Sequence, residues 1–306
     1  MLRYALKRMF FAGITVFAIT ALTFFMMHLI PGDPFMSEKT TEATRLFLRE
    51  KYGLDQPIVV QFQKYVVGIV KGDLGVSYVL QKNRPIAEIL WSSFRVSARV
   101  GLYALAAAMF TGILLGCIAG YYKNSWVDKC VSFLASCGIS VPGYVVASCL
   151  MMYFGVKWKV LPVTGLDTAK GYILPVITLA LQPTCNLIRL TRGSIVDVLE
   201  QDYLRTVRAK GMSQATTIFV HALKNSLIPI VTYLGPLAAS ILTGGFVVEN
   251  MFHIPGLGRY FVSAISCRDY TLIMAITIFY GALMIGINFI CDLLYGVIDP
   301  RVRLEG

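Results

Sequence analysis

Residues Asp202 to Pro229 read DYLRTVRAKGMSQATTIFVHALKNSLIP, a polar and basic stretch that lies between two apolar segments. Asp202 suits the N-cap of a short helix over Tyr203–Lys210, because its carboxylate can accept hydrogen bonds from the first free backbone N–H groups. Gly211 suits the left-handed residue that ends such a helix, and Ser213 can cap the next one. The pattern predicts a helix of about 12 Å at a sharp turn.

The predicted short helix combines small residues with cations. Thr206, Ala209 and Gly211 alternate with three basic residues, which are Arg205, Arg208 and Lys210. Small side chains allow close docking, and cations can pair with acidic groups of a partner. Such an exposed helix can be displaced from outside the membrane. From the pattern alone, the other interpretation is an ordinary basic cytosolic loop.

The rest of the chain is dominated by long apolar runs. Hydrophobic residues make up 56% of the 306 residues and charged residues only 15%, against about 25% in an average soluble chain. Six runs without Asp, Glu, Lys or Arg are near or above the ~18–20 residues that a helix needs to span a bilayer. They are Met9–Ile30, Val100–Tyr122, Cys130–Val156, Gly171–Ile188, Asn225–Val248 and Tyr270–Cys291. The sequence therefore predicts an all-α polytopic membrane protein with six transmembrane helices.

The distribution of Lys and Arg predicts the orientation of these spans. With a cytoplasmic N-terminus, the inner segments carry thirteen Lys and Arg residues and the short outer loops carry five. Because cytoplasmic loops are enriched in Lys and Arg, both termini are expected in the cytoplasm. The net charge of +11 follows largely from this topology, and it gives no reason to expect nucleic-acid binding.

Prolines and one amphipathic segment add detail to this picture. Pro142-Gly143 lies near the middle of the third span, and proline kinks a helix. Kinked spans suit a moving or cavity-lining bundle, although proline is also common in membrane helices. In the long outer segment, Pro57–Val70 has a helical apolar stripe, with Asp55 as its expected cap and Gly72 as its end. That helix is expected at the membrane surface or packed on neighbouring helices.

Several kinds of chemistry have no support in the sequence. No charged residue lies within any of the six runs, so a proton relay of buried carboxylates or histidines is not expected. The chain has no G-x-x-x-x-G-K-[ST] phosphate loop and no H-E-x-x-H motif. Its seven cysteines and three histidines show no ligand spacing. We expect no catalytic residue and no metal site, while an ion-gradient-driven secondary transporter, which can bind sodium through backbone carbonyls, remains an alternative.

Taken together, short motifs over nearly the whole chain resemble a known family. The segment Arg205–Gly211, with His221–Asn225 and Pro229, is similar to the "EAA" loop of permease subunits of binding-protein-dependent ABC importers, in the dipeptide/oligopeptide/nickel group. Arg205 stands where the general motif has Glu, as is usual in the peptide branch. Further matching stretches are Pro31–Pro34, Gly72–Gly75, Thr191–Ser194, Glu249 with Pro255–Gly258, Arg268–Tyr270 and Asp299–Arg301.

The resemblance implies an organisation of the chain. Residues 1–30 would form the cytoplasmic N-terminus and first span, and 31–94 an extracytoplasmic helical region. Residues 95–296 would form the ABC transmembrane type-1 domain with its cytoplasmic coupling loop at 190–226, and 297–306 a cytoplasmic tail. The implied fold is that of type I ABC importer permeases, in a bacterial cytoplasmic (inner) membrane.

The resemblance also implies partners and a substrate. They are a second homologous permease, two ATP-binding cassette ATPase subunits that bind ATP and Mg, an extracytoplasmic peptide-binding protein and the lipid bilayer; no cofactor is expected in this chain. Similarity to the first permease of oligopeptide systems, together with Arg95 and Ser97, favours oligopeptides, with dipeptides, nickel chelates and haem as alternatives.

Two sets of site residues follow from the resemblance. The residues expected in the ATPase-coupling helix are Tyr203, Arg205, Thr206, Arg208, Ala209, Lys210, Gly211 and Met212. Those expected at the binding-protein docking surface or outer gate are Glu249, Pro255, Gly256, Gly258, Arg268 and Asp269. For the charged residues of the second set, a purely structural salt-bridge role is the alternative.

Overall fold

The computed structural model describes residues 2–29, 46, 50, 53, 55–202, 211–212 and 223–298. Its α-helices are α1 (Leu2–Leu29), α2 (Ile58–Lys71), α3 (Ile86–Tyr121), α4 (Trp126–Ser140), α5 (Gly143–Leu150), α6 (Ile173–Leu199), α7 (Leu223–Leu242), α8 (Phe246–Met251), α9 (Leu257–Cys267) and α10 (Tyr270–Ile298). A π-helical turn, Met151–Lys157, follows α5, and a 3₁₀ turn, Ala169–Tyr172, precedes α6. Extended pairing in the described residues is limited to one bridge between Val76 and Pro85.

The helices account for the predicted membrane spans. Five segments are long and apolar enough to cross a bilayer, and the pair Trp126–Ser140 and Gly143–Lys157 gives a sixth when counted as one broken span. The five are Leu6–Leu29, Ile86–Tyr121, Ala169–Leu199, Pro229–Met251 and Tyr270–Cys291. The all-helical fold with six spans predicted from the sequence is confirmed in this form.

The third span is more sharply broken than a proline kink. Its two helices meet at 99°. Val141 is extended, with ψ of 122°, and Pro142 follows with ψ of 140°. A residue before proline is driven from the helical to the extended region, and proline has no N–H to continue the helix. The kink predicted at Pro142 is therefore present as a complete break, which turns the chain by about a right angle.

Three helix boundaries differ from the apolar runs. Helix α3 begins at Ile86, well before Val100, and α6 continues to Leu199, well beyond Ile188, so that Arg189 and Arg192 are helical. The fifth span is interrupted after Leu242. The helix ends differ from the ends of the apolar runs because hydropathy reflects the part of a helix within the membrane. Hydrogen bonding and capping determine where the helix itself ends.

Helices α3 and α6 form the most extensive pair, and small residues on α3 make it possible. Added Cβ atoms at Gly112 and Gly116 would lie 2.6 Å from Leu187 Cβ and 2.5 Å from Thr191 Cβ, respectively. Ala104, Ala108 and Gly120 continue the same every-fourth-residue row, and all five small residues are buried. Membrane helices approach closely where small residues line their contact, so the two spans pack as one parallel unit.

Helix α2 packs against the first span through Phe62, while Val59, Val67 and Val70 of its apolar stripe are exposed. The ring of Phe62 lies 5.2 Å from that of Phe24, 5.3 Å from Phe25 and 6.0 Å from Phe17. These aromatic contacts, at distances typical of favourable ring pairs, fix α2 alongside α1.

The ends of α2 are partly as predicted. Gly72 ends it with φ of 78°, as expected of a left-handed C-cap. The N-cap prediction was wrong, because Pro57 occupies the N-cap without a side-chain hydrogen bond. Proline fixes φ near the helical value, which suits the start of a helix.

Candidate functional site

The predicted coupling helix lies mostly outside the described residues. Tyr203, Arg205, Thr206, Arg208, Ala209 and Lys210 all belong to the segment 203–210, which the structure does not describe. Gly211 is described and has φ of 79°, the left-handed conformation predicted for it. Nothing lies within 4 Å of an added Cβ at Gly211, and the neighbouring Met212 is exposed.

Two ion pairs lie close to the end of α6. Arg192 on α6 donates from Nε and Nη2 to the carboxylate of Asp128 on α4, at 2.5 and 2.8 Å. Asp128 is 2% exposed and also accepts from the backbone N–H of Asn124 at 2.8 Å. This bidentate pair, a strong charge-assisted arrangement, ties the start of the third span to the last turns of α6.

The second ion pair is at the surface, immediately before the coupling segment. Lys123, in the turn after α3, donates to the carboxylate of Glu200, the residue after α6. The hydrogen bond from Lys123 lowers the pKa of Glu200. Both side chains are substantially exposed, so this pair contributes little stability. The pair joins the turn after α3 to the residue that follows α6.

Glu249, predicted to lie in the outer loop, is buried rather than exposed. It is 2% exposed, and its Oε2 accepts hydrogen bonds from the backbone N–H groups of Gly258 at 2.7 Å and Arg259 at 3.3 Å. These N–H groups belong to the first turn of α9, where backbone donors have no partner within the helix. Ser97 on α3, whose hydroxyl lies beside this carboxylate, accepts from the N–H of Leu257 at 2.8 Å. Glu249 therefore joins α8, α9 and α3.

Glycines make room for this carboxylate. An added Cβ at Gly256 would collide with Oε2 of Glu249 and come within 2.5 Å of Ser97 Oγ. At Gly244, which has φ of 90°, it would lie 2.5 Å from Oε1. At Gly258 it would lie 2.9 Å from the Cα of Phe246. The glycines predicted in the outer loop thus surround Glu249, and Pro255 beside them is exposed.

Asp269 forms a second buried carboxylate centre at the far end of α9. It is 0% exposed and accepts from the hydroxyl of Ser77 at 2.5 Å and from the backbone N–H groups of Val79 and Leu80 at 3.1 and 3.0 Å. Its other oxygen accepts from the N–H of Leu272 at 3.4 Å, as an N-cap residue does. Asp269 therefore fastens the first outer loop to the start of the sixth span.

These contacts correct one expectation. Three carboxylates, those of Asp128, Glu249 and Asp269, are buried, and all three lie outside the charge-free runs. Glu249 and Asp269 hold backbone N–H groups and hydroxyls in place of the salt bridges considered as their structural alternative, because helix ends and turns leave donors that require acceptors. Arg268, by contrast, is exposed and ends α9 with φ of 57°.

The arrangement positions helices and supplies no reacting group. Within the part of the chain that the structure describes, no three His, Cys, Asp or Glu side chains come together as a metal site would require. The polar centres lie at the two ends of the bundle, and each connects elements from different parts of the chain. Such contacts can stabilise one arrangement of the helices and can break when the helices rearrange.

Sequence reasoning missed the small-residue row on α3 and the partners of the buried carboxylates. The row had a readable signal, since Ala104, Ala108, Gly112, Gly116 and Gly120 recur at every fourth position. The carboxylate partners had no comparable signal, because Ser97 and Ser77 are 152 and 192 residues from the carboxylates they contact.

Comparison with known proteins agrees with this architecture. Residues 112–304 match the family model "Binding-protein-dependent transport system inner membrane component", and residues 1–100 match that of the N-terminal part of such membrane components. The chain is 42% identical over 306 residues to a dipeptide transport system permease protein of Bacillus subtilis, covering 100% of this chain and 99% of the relative.

Other relatives align equally completely. An oligopeptide transport system permease protein of Salmonella typhimurium is 38% identical, with 99% of this chain and 100% of the relative covered. A glutathione transport system permease protein of Salmonella paratyphi A is also 38% identical, with 100% of both covered. The chain belongs to the family of binding-protein-dependent transport system inner membrane components, the multi-pass permeases of ABC importers.

Proposed function

We propose that this chain is the permease subunit through which an ATP-driven importer moves short peptides into a bacterial cell. The observation that carries the proposal is the end-to-end similarity to a dipeptide permease at 42% identity. Relatives named for dipeptides, oligopeptides and glutathione all transport peptides, and their identities to this chain are close. Peptides are therefore preferred over nickel chelates or haem as the substrate class.

The proposed assembly pairs this chain with a second permease, two ATPase subunits and an extracytoplasmic peptide-binding protein. ATP and Mg would bind in the ATPase subunits, since this chain has no phosphate-binding loop. Both termini are proposed to lie in the cytoplasm, as the excess of Lys and Arg in the inner segments favours. The segment 203–210 would then face the ATPases.

The described residues support a route for the coupling movement. Helix α6 ends at Leu199, three residues before Asp202, so a push on the segment 203–210 acts directly on the end of α6. Because α6 is packed against α3 along the small-residue row, the two spans are expected to move together. The Asp128–Arg192 pair would carry the same movement to α4. ATP and the loaded binding protein must favour different states of the bundle for this movement to drive transport.

The test is uptake by the purified complex in proteoliposomes that contain ATP on the cytoplasmic side. Peptide uptake should require both ATP and the binding protein and should be insensitive to ionophores. Uptake that continues without ATP and stops when an ion gradient is collapsed would establish the secondary transporter instead. Uptake of a nickel chelate or haem in place of peptides would keep the ATP-driven class and overturn the substrate.

A further inference from the structure

The uncovered face of α6 carries amide and charged side chains. Between Thr178 and Leu199 the exposed residues are Gln182, Arg189 and Asp197. Asn186 is half-buried between them, and all four lie within about 80° of one another at ~100° per residue. On other spans, the strongly exposed positions include Phe10, Leu22, Phe110, Phe133 and Ile290, as expected of lipid contacts.

Gln182 and Asn186 lie within the charge-free run Gly171–Ile188, and Arg189 follows it immediately. Leu187 packs against Gly112, close to the middle of the charge-free run Val100–Tyr122, and the carbonyl of Ile188 lies against Gly116. Arg189 therefore lies at about the level of Gly116 on α3. Gly116 is six residues before Tyr122, which is about 9 Å along α3 at ~1.5 Å per residue. A charged side chain at such depth rarely faces lipid and usually faces water or another protein group.

The surroundings of this face are open. Nothing lies within 4 Å of an added Cβ at Gly193, one turn beyond Arg189. Gln182 lines a cavity of about 160 Å³ beside the break in the third span, together with Val141, Gly143, Val146 and Val248. Among the described residues, neither Gln182 nor Arg189 has a hydrogen-bond or ion-pair partner. These polar groups are thus available to a molecule outside this chain.

We propose that Gln182, Asn186 and Arg189 line the water-filled path of this permease and contact the passing peptide. This inference rests on the proposed function. A primary amide offers both donors and an acceptor, so Gln182 and Asn186 can pair with the N–H and C=O groups of any peptide main chain. The guanidinium of Arg189 suits a carboxylate. Contacts of this kind recognise the peptide backbone and its charge and are independent of side-chain sequence.

A helix of the second permease is the competing occupant. Tight contacts between membrane helices favour small residues that let backbones approach. In this chain the small-residue row of α3 is a surface of this kind, and α6 already covers it. The uncovered face of α6 carries amides and a long cationic side chain, which suits hydrated groups better.

The test is aqueous accessibility in the complete importer. The seven native cysteines are replaced by alanine, and single cysteines are introduced by Gln182→Cys, Asn186→Cys and Phe110→Cys. The reconstituted complex is treated with the membrane-impermeant trimethylammonium-ethyl methanethiosulfonate. Residue 110 is the matched control because it lies at the same depth on an exposed apolar face. Positions 182 and 186 should react at least tenfold faster than position 110. Reaction as slow as at position 110, or cross-linking of both cysteines to the second permease, would overturn the inference.

A second measurement uses the native cysteines, in case their replacement impairs assembly. The paired change Gln182→Leu and Asn186→Leu should lower peptide uptake at least tenfold, with equal amounts of complex in the membrane. Phe110→Leu should leave uptake unchanged. Full uptake by the paired variant would contradict the peptide contact. The labelling needs no peptide, so it would detect a water-filled path even if the importer carried another solute. In that case only the proposed substrate class would be wrong.

Discussion

The carboxylate of Asp269 accepts a hydrogen bond from the hydroxyl of Ser77 at 2.5 Å, although the two residues are 192 positions apart and both are fully buried. This contact joins the first outer loop to the beginning of the sixth span. The polypeptide between them contains the second to fifth spans. Asp269 therefore closes the outer end of the bundle and gives a direct test of how that end is held.

Replacing Asp269 with alanine should loosen the loop at Tyr78–Leu80. The substitution leaves buried donors without an acceptor, at a cost of about 1–3 kcal/mol for each unsatisfied group. Amide hydrogen exchange of Val79 and Leu80 should become faster in the variant. Asp73→Ala is the control, since Asp73 is exposed and its side chain accepts only from the N–H of Gly75. Unchanged exchange at Val79 and Leu80 would refute the fastening role of Asp269.

The stability of Glu249 variants should depend on how many hydrogen-bond acceptors the new side chain retains. Glu249→Gln keeps one oxygen for the N–H of Gly258, whereas Glu249→Leu leaves that donor unpaired. Charged acceptors form bonds roughly twice as strong as neutral ones, so the melting temperature of the purified complex should fall in the order native, Gln and then Leu. Glu88→Leu, at a side chain 64% exposed, should have little effect. A leucine variant as stable as the native chain would show that the Glu249 contacts are dispensable.

A methyl group at Gly116 should separate α3 from α6. Its Cβ would meet Thr191 Cβ at 2.5 Å, and overpacking of this kind costs about 1–3 kcal/mol. Gly286→Ala in α10 is the matched control, because nothing lies within 4 Å of that position. Since Ala favours the helix over Gly by roughly 0.5–1 kcal/mol, the control should be neutral or slightly stabilising. Denaturant unfolding in detergent measures both, and equal effects would argue against close packing here.

The two ion pairs near the coupling segment should differ in strength. Asp128→Ala leaves Arg192 without its bidentate partner and should cost about 3 kcal/mol, the lower end for a buried pair. Glu200→Ala breaks an exposed pair and should have little effect on stability, with any difference from the native chain vanishing in high salt. Arg192→Lys should recover only part of the stability, because an ammonium cannot reproduce the two-pronged contact. Equal costs at both sites would contradict the burial argument.

Gly211→Asp should uncouple ATP hydrolysis from transport while the protein remains in the membrane. A non-glycine residue at φ of 79° is strained by about 1–2 kcal/mol, and the added charge lies at the end of the segment proposed to contact the ATPases. Gly72→Asp is a control of matched backbone strain, since Gly72 has φ of 78° and an equally open surrounding. Peptide uptake should be lost in the first variant and retained in the second. Normal uptake with Gly211→Asp would remove the segment from the coupling mechanism.

Local features were largely predictable from the sequence. The charge-free runs located the spans, since a helix in lipid must be apolar for about 20 residues. Gly211 was predicted to be left-handed, Gly72 to end a helix and Pro142 to kink one, because the conformational limits of glycine and proline act within one or two residues.

Features that depend on distant residues were not predictable in the same way. The burial of Glu249 requires Ser97 from another span, and that of Asp269 requires the loop at Ser77. A carboxylate near the end of a span is equally consistent with an exposed docking residue until its neighbours are known. The polar face of α6 also emerged only from the structure, because the alignment of Gln182 with Arg189 becomes meaningful once α6 is seen to continue as one helix to Leu199.

The most direct test of the account is ATP hydrolysis by the membrane complex purified through a tag on this chain. We predict that ATPase subunits co-purify and that hydrolysis rises severalfold when peptide-loaded binding protein is added. Unloaded binding protein should have a smaller effect. A chain that purifies without ATPase subunits and still moves solute down an ion gradient would contradict the central claim.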